Sequence, residues 1–278
     1  MTLFELKREI VTLLSSLEDP YLEARVLLSS LGFSELDQIT KKEQEIPIDK
    51  VELALEKAKE RRDGRPMAYI THEKEFYGLL FYVDENVLIP RPDTEIIVEK
   101  AITLYKEKNY SGSILDLCTG SGAIATAISY TLNKDVFFSD ISPSALNIAI
   151  RNYENLTNRK ANARLGDLFE PWKDMKFSLI ATNPPYLTPS WYESVSKEVK
   201  REPVNALINC GDDGLDIIKK IISSSVNHLE KNGTLLIECD YRQIKDVSLL
   251  LRESNFSSIG VERDLGGRDR VIYGEYKD

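Results

Sequence analysis

From Ser113 onward the chain alternates short apolar β-prone runs with amphipathic helical stretches, and that alternation restricts the fold more than any other feature. Strands are expected at Ile114–Leu117, Val136–Ser139, Ala163–Leu165, Phe177–Thr182 and Thr234–Glu238. Helices are expected from Ala123, over Pro143–Asn155, over Leu215–Leu229 and near Gln243–Ser254, with two closing strands after them. Strands separated by helices cannot pair as hairpins. They imply an α/β fold with a doubly wound, mostly parallel sheet covered on both faces. In such a sheet ligands bind beyond the carboxyl ends of the strands, so the residues that follow each strand are the ones to inspect.

The preceding residues have another texture. Leu3, Leu6, Ile10, Leu13, Leu14 and Leu17 form a helical stripe over residues 2–17, and Asp19-Pro20 caps and opens a second helix that Gly32 closes. A short helix near Ser34–Gln38 and a longer one over Ile48–Arg62 complete a small helical domain, residues 1–64, whose expected work is partner contact or packing. Residues 65–91 read as a β-hairpin connector, with strands at Met67–Thr71, Glu75–Tyr77 and Leu79–Val83 and a turn at Gly78. Residues 92–278 form the ligand-binding domain, entered through Leu88-Ile89-Pro90-Arg91-Pro92-Asp93-Thr94-Glu95, where Asp93 or Thr94 could cap a helix over Glu95–Glu107.

Composition narrows the function. A net charge of −9 over 278 residues counts against a broad nucleic-acid surface. Cys118, Cys210 and Cys239 match no zinc spacing and suggest buried thiols in a reducing, cytoplasmic setting. With only His72 and His228 present, no metal site is expected. Lys7, Arg8 and Glu9 interrupt any early apolar run, so neither a leader nor a membrane span is expected.

Four strand ends carry chemistry-bearing residues. The first runs into Asp116-Leu117-Cys118-Thr119-Gly120-Ser121-Gly122-Ala123, where glycines let a ligand approach the backbone at a helix N-terminus. It lacks the third glycine of a dinucleotide fingerprint and the lysine of a phosphate loop, which points to a nucleoside rather than a pyrophosphate. The second ends at Asp140, where an acid can hold both ribose hydroxyls or merely cap the next helix. The third ends at Gly166-Asp167-Leu168-Phe169, an acid and an aromatic that can border a base, although Phe169 fits a core equally well. The fourth ends at Asn183-Pro184-Pro185-Tyr186. The prolines stop the strand, the Asn offers an acceptor and two donors, and Tyr186 offers a flat wall, a set that could hold a planar –NH2 group. The plain alternative is a strand-ending turn.

These motifs resemble those of class I S-adenosylmethionine-dependent methyltransferases, and more narrowly the HemK family of release-factor glutamine methyltransferases. The likeness extends through Ile89-Pro90-Arg91-Pro92-Asp93-Thr94-Glu95, the Asp116–Ala123 loop, Asn183-Pro184-Pro185-Tyr186, Glu202-Pro203, Asp213-Gly214-Leu215 and Gly267-Arg268-Asp269-Arg270. Cys118 stands where the family's loop usually has Gly, His72 where its connector often has Gly, and Leu168 where some members carry Trp.

The resemblance implies methyl transfer to the amide nitrogen of the glutamine in the Gly-Gly-Gln motif of class 1 peptide chain release factors. S-adenosylmethionine would be the donor, S-adenosylhomocysteine the product, and no metal would take part. Cys118, Thr119, Gly120, Ser121 and Gly122 would lie along the methionine portion, Asp140 at ribose, and Asp167 with Leu168 or Phe169 at adenine. Asn183, Pro184, Pro185 and Tyr186 would hold the glutamine amide, with Asn183 also close to the cofactor. Arg91, Thr94 and Glu95 are expected near the mouth. The competing expectations are a nucleic-acid N6-adenine methyltransferase with the same Asn-Pro-Pro-Tyr chemistry, a non-catalytic cofactor-binding scaffold, and, more distantly, a nicotinamide oxidoreductase.

Overall fold

The structure, a computed structural model, describes residues 1–209 and 211–277; Cys210 lies outside them. The chain divides into two compact units, Met1–Glu73 with Ser196–Arg201, and Lys74–Val195 with Glu202–Asp278. Among the described residues no helix is long and apolar enough to cross a membrane.

The first unit is helical: α1 (Leu3–Leu13), α2 (Pro20–Ser30), α3 (Glu35–Thr40), α4 (Ile48–Arg62) and α5 (Met67–Thr71). Local chemistry sets the helix starts. Thr2 and Glu5 close a capping box on α1, Asp19 accepts from the Leu22 N–H at 2.9 Å ahead of Pro20, and Ser34 with Asp37 caps α3. Leu3, Leu6, Ile10, Leu27, Leu28, Val51 and Ala54 form the core. Arg61, buried on α4, makes two hydrogen bonds to Glu23, at 2.8 and 2.7 Å, and one to Glu198 at 2.7 Å, which ties the Ser196–Arg201 segment into this unit.

Met67–Thr71 is a helix and not the strand that its β-prone residues suggested. Pro66, at φ −56°, enters a five-residue helical turn, and His72 in the left-handed region ends it. That span is too short for either periodicity to declare itself.

The second unit opens with the hairpin β1 (Glu73–Phe76) and β2 (Leu79–Tyr82), turning through Tyr77 and Gly78, both at positive φ. The remaining strands are β3 (Ile114–Leu117), β4 (Phe137–Asp140), β5 (Asn162–Leu165), β6 (Phe177–Thr182), β7 (Leu229–Glu238), β8 (Phe256–Arg263) and β9 (Asp269–Tyr276). The helices are α6 (Glu95–Glu107), α7 (Ala123–Leu132), α8 (Pro143–Thr157), α9 (Pro189–Glu193), α10 (Asp216–Ser225) and α11 (Ile244–Glu253). The seven-stranded sheet has the order β5-β4-β3-β6-β7-β9-β8. Strands β3 to β7 are parallel, and β9 runs antiparallel to both β7 and β8.

Strand order reverses at β3. The crossovers through α7 and α8 step one way and that through α10 the other, so right-handed connections place these helices on opposite faces. Leu115, Leu117, Ile180, Leu235 and Ile237 pack beneath Ile218, Ile221 and Ile222 of α10 and Val247 and Leu251 of α11. The mostly parallel, doubly wound α/β reading holds.

Several boundaries differ from expectation: α1 ends at Leu13 rather than near 17, and β1 begins at Glu73 rather than Glu75. α10 stops at Ser225, and β7 starts at Leu229, opposite Phe177, so the stretch expected to close a helix opens a strand. Neither Asp93 nor Thr94 caps α6 with its side chain, because Pro92–Thr94 form a 3-10 turn that leads into the helix.

Candidate active site

Strand register levels the functional residues. Leu117 lies opposite both Ser139 and Thr182, Asp140 opposite Leu165, and Thr182 opposite Ile237. Cys118, Asp140, Asn183 and Glu238 therefore stand along one edge, on both sides of the switch point at β3, where an open α/β sheet leaves a crevice.

The glycine loop is built from that edge. Asp116, fully buried on β3, accepts from the Thr119 hydroxyl at 2.6 Å and the Ala125 N–H at 3.1 Å. Its Oδ1 has no hydrogen-bond partner among the described residues. Burial pushes this carboxyl up to about 7, against the pull of those two donors. Cys118 sits at φ +58°, which explains why glycine suits that position; burial drives its thiol well above the usual range, so it stays protonated. Gly122, at φ +80°, lets α7 lie against α8, since a Cβ there would meet the Ala149 Cα at 3.0 Å. A side chain at Gly120 would meet nothing within 4 Å, so the loop faces open space where a ligand can lie.

Asp140 does not cap α8; Ser142 does, accepting from Ala145. The Asp140 carboxylate instead accepts from the Gly120 N–H and the Ser142 N–H, both at 2.9 Å, and joins the loop to the end of β4. Burial raises its affinity for a proton. Beyond β5, Asp167 is exposed and Leu168 half-buried. Phe169 is buried in the core, and its ring stacks on His228 at 4.6 Å.

The Asn-Pro-Pro-Tyr segment is held from three sides. Asn183 donates from Nδ2 to the Thr94 hydroxyl at 3.2 Å; burial pushes the nearby Glu238 carboxyl up to about 7, with Thr94 and Asn183 among the groups opposing the rise. The amide nitrogen thus has a partner in Thr94, while Oδ1 accepts no hydrogen bond among the described residues. The Tyr186 carbonyl accepts from Gln243 Nε2 at 3.0 Å, and burial keeps the Tyr186 phenol neutral. Arg270 pairs with Asp264 at 3.0 Å and approaches Asp93 at 3.8 Å. Arg91 pairs with buried Glu202, which also accepts from the Ile89 N–H at 3.0 Å, so two of the noted motifs are one structural unit. Glu95 is engaged elsewhere, accepting from the Tyr77 N–H at 2.8 Å at the tip of the hairpin. Sequence reasoning missed Glu238 and Gln243. The signal for Glu238 was an acid closing the apolar run Leu235-Leu236-Ile237, where an unpaired carboxylate would be costly to bury.

Comparison with known proteins agrees with this geometry. Residues 101–212 match the family model described as methyltransferase small domain. The chain is 38% identical over 267 residues to a release factor glutamine methyltransferase of Buchnera aphidicola, covering 95% of each chain. It is 36% identical over 256 residues to that of Clostridium acetobutylicum, covering 90% of this chain and 89% of the relative. This chain belongs to the release factor glutamine methyltransferase family. The family resemblance read from the motifs is thereby borne out.

A third family member, from Fusobacterium nucleatum, is 42% identical over 226 residues; there the match spans 80% of this chain but 62% of the relative's length. Among solved structures, a Pyrococcus furiosus methyltransferase superposes with a TM-score of 0.55 at 16% identity, covering 74% of this chain and 92% of that one. The T. thermophilus 16S rRNA N2 G1207 methyltransferase, in complex with AdoMet and guanosine, gives 0.53 at 15%, covering 74% and 50%. At such identities these likenesses establish the class I methyltransferase fold.

Proposed function

We propose that this release factor glutamine methyltransferase family member uses S-adenosylmethionine to methylate the side-chain amide nitrogen (N5) of the glutamine in the Gly-Gly-Gln motif of class 1 peptide chain release factors. The observation that carries the reading is the orientation of Asn183, whose amide nitrogen is engaged by the Thr94 hydroxyl, leaving its oxygen available as an acceptor at the strand edge.

The residues present fit the cofactor. The open space over Gly120 and the edge formed by Cys118–Gly122 would take its methionine portion, with Asp116 Oδ1 still lacking a partner beneath. Asp140 would meet ribose and Leu168, beside Asp167, adenine. When bound, the cofactor supplies an electrophilic methyl group on a sulfonium sulfur; the reading includes no metal.

An amide nitrogen is a weak nucleophile because its lone pair is delocalised into the carbonyl. The site therefore orients it. Asn183 Oδ1 and the Pro184 carbonyl accept its two N–H bonds, Pro185 stiffens the segment, and Tyr186 walls the amide plane. As positive charge develops on the nitrogen during transfer, both hydrogen bonds strengthen, so these acceptors stabilise the transition state more than the ground state. The nitrogen becomes acidic once methylated and loses its proton then, so the mechanism calls for no strong base. The helical unit would contact the substrate protein, and the free thiols Cys118 and Cys239 suit a cytoplasmic enzyme.

The test is methyl transfer from labelled S-adenosylmethionine to a purified release factor, its Gly-Gly-Gln Gln→Ala variant and duplex DNA. Label on the first alone supports the reading, and label on DNA alone sinks it. Asn183→Ala should lose turnover on the order of 100-fold or more while still binding cofactor; calorimetry and single-turnover rates separate the two.

A further inference from the structure

Thr182 lies opposite Ile237 on neighbouring parallel strands, so the next residues, Asn183 and Glu238, leave the sheet side by side. Glu238 is 2% exposed and its Oε2 has no hydrogen-bond partner among the described residues. A carboxyl is costly to place there, and its surroundings show what it does. The Thr94 hydroxyl, 5% exposed, accepts from Asn183 Nδ2 at 3.2 Å. A hydroxyl that accepts from an amide keeps one hydrogen to give, and the buried Glu238 carboxyl, whose charged form Thr94 and Asn183 favour, is the acceptor we assign to it. With that assignment the donors would run in one direction, from Asn183 to Thr94, the observed hydrogen bond, and from Thr94 to Glu238.

We propose that Glu238, acting directly and through Thr94, is a positioning residue that fixes which end of the Asn183 amide faces the substrate. The inference rests on the assignment of Asn183 to the substrate amide made above. An Asn amide turned by half a rotation has almost the same shape but presents N–H where the acceptor should be. Facing the N–H of a glutamine amide, that arrangement is repulsive. A carboxylate at Glu238 accepts only and so forbids it. A protonated Glu238 can instead donate to Thr94, freeing the Thr94 hydrogen for Asn183 Oδ1 and reversing the chain of donors.

Turnover should therefore follow the ionisation of Glu238. Burial pushes this carboxyl up to about 7, with Asp93, before α6, adding to the rise and Thr94, Arg270 of β9 and Asn183 opposing it. Tyr186 after β6 and Cys239 beside it also face this region, and both are driven well above their usual ranges by burial, so neither changes charge near neutrality. Asp240 is held low by Arg242 despite its burial, and Arg270 is raised by Asp264 and remains charged.

The experiment uses the full chain, labelled S-adenosylmethionine and a purified release factor, with kcat, KM and cofactor Kd measured from pH 5.5 to 9. Glu238→Gln should lower kcat on the order of 10- to 100-fold, the cost of a misplaced acceptor. Its cofactor Kd should stay within about twofold, because the carboxyl touches no expected cofactor atom. It should also lose the wild-type rise in kcat through about pH 7. Thr94→Val, which alters no charge, should reproduce the loss, Thr94→Ser should restore most of it, and the Glu238→Gln/Thr94→Val pair should be no worse than either alone. Wild-type kcat in Thr94→Val, or an unchanged pH profile in Glu238→Gln, would overturn the inference. Asn183→Ala run alongside separates the layers: if it stays active the substrate assignment itself fails, whereas an inactive Asn183→Ala beside fully active Glu238→Gln and Thr94→Val overturns the positioning role alone. Should Glu238→Gln fail to fold, the Thr94 pair decides.

Discussion

Gly214 is the point at which a single methyl group should disturb the Asn-Pro-Pro-Tyr segment from behind, through the Tyr186 backbone. It sits at φ +66°, and a Cβ built there lies 2.5 Å from the Tyr186 carbonyl oxygen and 2.8 Å from Gln243 Nε2. Gln243 Nε2 is the donor that holds the Tyr186, Asp213 and Gly214 carbonyls, at 3.0, 3.0 and 3.3 Å. Gly214→Ala thus incurs about 1–2 kcal/mol for a left-handed non-glycine residue. It also forfeits the Gln243 contacts, at about 1 kcal/mol for each bond broken. A loss of roughly 3 kcal/mol of stability follows. The Tyr186 carbonyl must yield, and Asn183 is three residues away on the same short segment. A shift of about 1 Å there should lower kcat on the order of 100-fold. Both tryptophans, Trp172 and Trp191, lie in the second unit, so their fluorescence in urea reports its unfolding directly. Gln243→Leu isolates the hydrogen-bond part and should cost about 1–2 kcal/mol, with a smaller loss of turnover. A Gly214→Ala protein with wild-type stability would refute the contact geometry. One that is destabilised yet turns over normally would refute the coupling between this loop and Asn183.

Two further outcomes follow from buried charges. The folded chain holds a proton on Asp116 up to about pH 7, whereas an unfolded aspartate releases it near 4, so stability from this group is full below pH 4 and is lost as pH rises through 7. Denaturation between pH 5 and 8 should show the fall, and Asp116→Asn should remove roughly 2–3 kcal/mol of it; an undiminished slope would exclude Asp116 as its source. In the helical unit, Arg61→Met strands Glu23 and Glu198 and should cost about 3 kcal/mol, the low end for a broken buried pair because Glu198 is partly in water. Hydrogen exchange should rise across residues 196–201, and unaltered protection would show that something else anchors the segment.

Much of this architecture is legible in the residues because one signal repeats. Five apolar runs, each followed by a helix or a turn-forming stretch, impose the parallel sheet, and the residue after each run falls at the ligand edge by register alone. Legibility fails where a segment is too short or where the deciding partner is distant in sequence. Met67–Thr71 has the β-branched and aromatic residues of a strand, and only its neighbours Pro66 and His72 make it a helical turn. Phe169 fitted a base or a core equally well until His228, far along the chain, supplied the stacking partner. Thr94 was plausible as a helix cap, but its hydroxyl is drawn to Asn183, 89 positions later. Glu238 resembled an ordinary strand end because nothing near it in sequence reveals what it faces.

The return of Ser196–Arg201 to the helical unit makes the covalent connection between the two units threefold, with junctions at 73/74, 195/196 and 201/202. A single cut at the first junction leaves residues 1–73 joined to Ser196–Arg201 only by non-covalent contacts such as Arg61–Glu198. Removing residues 1–73 would leave Glu198 without the guanidinium it pairs with, in a segment stranded between α9 and Glu202. The helical unit is in this sense not an appendage at the N-terminus: it borrows part of its own substance from the chain just beyond Asn-Pro-Pro-Tyr, and neither part can be inherited, exchanged or lost alone without leaving a tear in the other.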